Sequence, residues 1–107
     1  MKIAILQCLN ISAHCTGFGC LKAYNSGDKH FAQYGDDRPA LLAFFLCNGC
    51  STDHATDEGW LRKLNRLRDE GVDKIHVGVC VDEKCAQRET LLSQMTHFGF
   101  LVEEGTH

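Results

Sequence analysis

Apolar residues fall in short blocks separated by polar, glycine-containing stretches. Residues 2–7 are apolar at nearly every position and predict a buried strand, because a central parallel strand is covered on both faces. Residues 40–46, introduced by Pro39, form a second continuous block, and residues 73–80 a third. A fourth strand is expected at roughly 100–104, after Gly99. Between the last three blocks the period changes. Trp60, Leu61, Leu64 and Leu67 recur at helical spacing and predict a helix over 57–70, with Gly71 at the C′ position. Leu91, Leu92 and Met95 mark the apolar side of another helix over 86–97. Residues 8–20 read as a long polar loop, and a short helix is expected from about Phe18 to Tyr24. Asn25-Ser26-Gly27-Asp28 and Tyr34-Gly35-Asp36-Asp37 read as turns.

Alternation of strands and helices argues for an α/β fold with a parallel sheet. Right-handed crossovers place helices on both faces if the strand order reverses once. The expected architecture is a single domain over residues 1–107 with a four-stranded, mostly parallel, flavodoxin-like sheet of order 2-1-3-4. In such sheets ligands bind at the carboxyl ends of the strands, near the reversal of order.

The chemistry of that edge is soft. The chain has seven cysteines in 107 residues. Cys8, Cys47 and Cys80 each follow or close an apolar block, and His107 closes the last one. Cys50 forms a Cys-x-x-Cys pair with Cys47, a spacing that lets two thiolates share one ion. Cys8, Cys47, Cys50 and Cys80 are therefore the first candidate metal ligands. His107, Cys15 and Cys20 are further candidates. Cys20 and Cys85 also suit an alternative reading as small buried apolar residues. His76, inside an apolar block, reads as a core histidine or as a group orienting a neighbouring ligand. His54, near the Cys-x-x-Cys pair, is within reach of an ion bound there.

The remaining composition narrows the field. Apolar residues make up 44% and charged residues 23%, ordinary for a globular chain. A formal net charge of −3 offers no global field for nucleic acid, and the basic segment Arg62–Arg68 reads as the solvated face of one helix. No apolar run approaches the roughly 18 residues of a membrane span. No secretory signal is visible, and an odd number of cysteines argues against a disulfide framework, so a cytoplasmic location is expected. The oligomeric state is open at this point.

Several enzyme classes fit poorly. A thioredoxin-like enzyme has a cis-proline in a later strand facing its thiols, whereas the only proline here, Pro39, lies upstream of them. No cysteine has the arginine six residues on that a phosphatase-type loop needs. Gly17-x-Gly19 is weak evidence for a phosphate loop of a flavin site.

The landmarks resemble the CGGC-domain proteins along essentially the whole chain. They comprise the first strand ending at Cys8, Cys15-Thr16-Gly17-Phe18-Gly19-Cys20, Lys22-Ala23-Tyr24-Asn25 and Phe31-Ala32-Gln33-Tyr34-Gly35-Asp36. Phe44-Phe45-Leu46-Cys47-Asn48-Gly49-Cys50, Ile75-His76 before Cys80, Cys85, and Gly105-Thr106-His107 complete the series. The name-giving Cys-Gly-Gly-Cys is here Cys47-Asn48-Gly49-Cys50, in a turn that asparagine's tolerance of left-handed backbone would preserve. The Cys80–Cys85 spacing is shorter than in relatives, which sets Cys85 apart. The resemblance implies metal binding, with zinc the expected ion, and no established reaction. An iron–sulfur cluster on the same cysteines, or a thiol redox or sulfur-transfer enzyme using Cys47 or Cys50, are the alternatives.

Overall fold

In the computed structural model, which describes residues 1–107, the first apolar block is the centre of the molecule. Strand β1 (Lys2–Gln7) is buried from Ile3 onward. It pairs in parallel with β2 (Ala40–Leu46) on one side and β3 (Lys74–Val77) on the other. β4 (Leu101–Glu104) pairs in parallel with β3. The order is β2-β1-β3-β4, as expected from the alternating pattern.

The period-two alternation of β1 sorts its side chains onto two faces. Ala4, Leu6 and then Cys8 join the larger core, with Trp60, Leu64, Ile75, Val77, Leu91 and Met95. This face is covered by α3 (Glu58–Asp69) and α5 (Arg88–His97), named here by their place in the chain. Ile3 and Ile5 point the other way, onto Cys20, Ala23 and Phe31. That face is covered by α2 (Phe18–Ser26) and a 3-10 helix (Lys29–Tyr34).

Local chemistry explains the boundaries. Asp57 caps α3, its side chain accepting from Trp60 N at 2.9 Å, and Arg66 and Arg68 occupy the last turn, where a helix dipole favours cations. The loop after β1 is not wholly irregular: a one-turn helix, α1 (Leu9–Ser12), follows Cys8 directly.

The third block is split. The expected strand over 73–80 ends at Val77, and Val79–Lys84 form α4. Gly78 is the reason. Its amide donates to Leu6 O at 2.8 Å, and a Cβ on it would lie 2.8 Å from that same oxygen. Only a residue without a side chain turns the backbone this close to β1. Cys80 is therefore in the first turn of α4 rather than at the end of a strand.

Candidate metal centre at the carboxyl edge

Three sulfur atoms, two from the turn after β2 and one from α4, gather around the start of α1. Cys8 N donates to Cys80 Sγ at 3.3 Å, Leu9 N to Cys47 Sγ at 3.4 Å, and the Asn10 side-chain amide to Cys50 Sγ at 3.0 Å. Three consecutive residues thus each donate a hydrogen bond to a thiol. Bonds of this kind favour the thiolate, the form that binds metal. All seven cysteines are free thiols.

The Cys-x-x-Cys turn is held rigidly. Asn48 N donates to His54 Nε2 at 3.0 Å, and the other ring nitrogen of His54 donates to Gln87 Oε1 at 2.8 Å. Both nitrogens of this buried imidazole are engaged, so His54 positions the turn. The Asn48 side chain donates to Asp57 at 2.8 Å and accepts from Lys63 Nζ at 2.6 Å, tying the turn to α3. The left-handed residue of the turn is Gly49, at φ +100°, not Asn48. Cys50 lies eight residues before Glu58, the first residue of α3, and so is not at that helix start.

Cys85, set apart by its spacing, lies beside the Cys-x-x-Cys pair. Burial pushes its thiol pKa up, and the neighbouring Cys47, Cys50 and Cys8 act in the same direction. Cys80 and Cys20 are likewise raised, first by burial, then by nearby thiols: Cys8 and Cys15 for Cys80, Cys80 and Cys15 for Cys20.

The remaining candidates lie on the α2 side. Cys20 Sγ is 3.1 Å from Thr106 Oγ1 and 3.6 Å from His107 Nδ1. The His107 ring rests on Gly19, where a Cβ would come within 2.9 Å of Nε2. Gln7, Cys15, Cys20, Cys80 and His107 line a cavity of about 280 Å³, with Lys84 also in its wall. Gln7 is 3% exposed, and its side-chain nitrogen has no hydrogen-bond partner. A wider depression of about 400 Å³ between Phe45 and the basic face of α3 has no thiol or imidazole in its wall.

His76 is the core histidine the sequence suggested. Its Nδ1–H donates to Gly105 O at 3.4 Å, and Nε2 accepts from Tyr34 OH at 2.7 Å. Burial lowers its pKa to about 4.

As the side chains stand, no three Cys, His, Asp or Glu residues enclose a point that would hold an ion. The donor set is nevertheless of the kind that suits zinc: thiols and an imidazole, several already hydrogen-bonded as thiolates would be. Asn10, Lys63 and Gln7 were not foreseen as parts of the edge. A polar residue closing a buried apolar strand, as Gln7 does, was the one available signal.

A small α/β sheet with cysteines converging on its carboxyl edge defines the class of protein. The family model described as the CGGC domain matches residues 2–107, and the chain belongs to that family. No curated protein and no solved structure matches the chain. No helix is long and apolar enough to cross a membrane.

Proposed function

We propose that the protein binds a metal ion, zinc first, through thiolates at the carboxyl edge of the sheet. The ligands are drawn from Cys8, Cys47, Cys50 and Cys80, with Cys15, Cys20 and His107 as the nearby reserve. The observation that carries this reading is the run of donors on Cys8, Leu9 and Asn10, each aimed at a different sulfur. Thiolates around a divalent ion leave net negative charge, and hydrogen bonds to sulfur offset it. Lys63, which neighbours Cys47, supplies a cation from α3.

Supporting zinc over a redox role, Cys47 is buried and Cys50 sits in a turn without a helix start to activate it. A four-thiolate set also accommodates an iron–sulfur cluster. Elemental analysis of untagged protein separates these outcomes. The expected result is stoichiometric zinc in a colourless protein. Iron with sulfide and visible absorption would assign a cluster instead. Metal content far below stoichiometric after growth and purification in metal-replete conditions would refute the reading.

A further inference from the structure

The thiols are not one group. Alternation along β1 sends Cys8 to the face covered by α3 and α5, while its neighbour Gln7 follows Ile3 and Ile5 to the α2 face. On the first face Cys8 and Cys47 belong to one core, and Cys80 and Cys85 both pack against it, Cys85 beside Cys47 and Cys50, and Cys80 accepting from Cys8 N at 3.3 Å. On the second face Cys20 is 3.6 Å from His107, and the cavity of about 280 Å³ brings Cys15, Cys20, Cys80 and His107 together. Cys80 stands between the two groups, and with it assigned to the cavity the eight soft donors divide into four and four.

We propose that the protein holds two metal ions, one bound by Cys8, Cys47, Cys50 and Cys85, the other in the cavity by Cys15, Cys20, Cys80 and His107. This rests on the metal-binding reading above and refines it: Cys80 belongs to the second ion, and Cys85 takes its place at the first. Both sets are tetrahedral combinations that zinc accepts, four thiolates or three with one imidazole.

Gln7 supplies an independent pointer to the second ion. A buried amide N–H₂ without an acceptor is destabilising. Its nitrogen is the only fully buried side-chain polar atom of the protein without a partner, and Gln7 lines the cavity. Thiols are poor acceptors, whereas metal-bound thiolates are good ones. Deprotonation of the cavity thiols by an ion gives the Gln7 amide the acceptor it lacks. Three thiolates, one neutral imidazole and a divalent ion sum to −1, and the same wall holds one cation, Lys84, and one carboxylate, Glu83. Cys15 and His107, the outer members of the second set, are both exposed.

The ion at each set replaces thiol protons, which pass to solvent; no electron changes hands. The test is a titration of metal-free, reduced protein with cobalt(II), read by sulfur-to-metal charge transfer and by elemental analysis. The wild type is expected to take up two equivalents. The double variant Cys15→Ser/His107→Ala, changed only at exposed positions, should take up one, with the four-thiolate spectrum retained. Cys80→Ser should lose that same equivalent, and Cys47→Ser/Cys50→Ser the other. Circular dichroism of each variant establishes that it is folded. One equivalent in the wild type, or two retained in Cys15→Ser/His107→Ala, overturns the second site and leaves the metal-binding reading standing. Loss of the four-thiolate spectrum on Cys80→Ser overturns the division of ligands. No uptake by folded wild-type protein refutes the metal-binding reading itself.

Discussion

His76 makes the stability of this protein depend on pH in a window that few other groups reach. The ring is fully buried, against Phe31 at 4.4 Å between ring centroids, and bonded at both nitrogens as the neutral form. Lys74, Glu103, Tyr34 and His30 are the titratable groups around it. Its pKa is about 4 in the folded chain against 6.5 for the free residue. Because the folded value is depressed, the unfolded state binds the proton first on acidification. Stability therefore rises with pH across this window and falls as pH drops from about 6.5 towards 4. One pKa unit corresponds to about 1.4 kcal/mol. Integrating the linkage gives a loss of about 2 kcal/mol between about pH 7 and pH 5, and about 3 kcal/mol once the folded ring also titrates. Urea denaturation of metal-free protein at a series of pH values measures the slope. The His76→Gln variant should flatten it above about pH 5, where carboxylates are largely ionised in both states. Two results would refute the reasoning: a His76 resonance titrating above about pH 6 in the folded protein, or an unchanged slope in His76→Gln.

Three further outcomes follow from the same structure. Leu64, fully buried under the sheet between Trp60 and Leu67, should cost about 3 kcal/mol on Leu64→Ala, seen as a lower urea midpoint at constant slope. An unchanged midpoint would mean the site collapses onto the cavity. Asp57→Ala removes the α3 cap and the tie to Asn48 together, so it should lower the midpoint more than Leu101→Ala, a change at an exposed position, and should also weaken metal uptake; equal midpoints would show that the cap is dispensable. Burial holds the Cys20, Cys80 and Cys85 thiols above their ordinary value of 9.0, so an incoming ion must displace their protons. Apparent zinc affinity should fall on acidification by about tenfold per pH unit for each proton displaced, and affinity independent of pH would contradict thiolate ligation.

The parts of the fold readable from the chain were those set by local pattern. β1 and β2 appear with the expected bounds, β1 because a strand covered on both faces requires a continuous apolar run, and β2 because its apolar run is bounded by Pro39 and Cys47. The helix around Trp60 was legible from its period and from Gly71 just beyond its end. α4 was not. Six residues are too few to show a period, and the break that creates the helix depends on Gly78 meeting Leu6 O, a contact between residues 72 positions apart. The same limit applies to the thiols. Their gathering on one edge followed from where the apolar runs end. The side on which Cys20 lies depends on where α2 packs, and that is settled by Phe31 and Ala23 meeting Ile3 and Ile5. The role of Asn48 was equally hidden: its side-chain partners, Asp57 and Lys63, come from the next helix.

The opposite orientation of Gln7 and Cys8 has an evolutionary consequence. A sheet one residue thick acts as a partition, so changes around α2 reach the Cys-x-x-Cys face through the backbone of β1 and through Cys80 at its edge. Descendants could remodel or discard the chemistry on one side while keeping the other intact. A single-residue insertion within β1 would do the reverse, exchanging the two sides at once, and would be purged wherever either side matters.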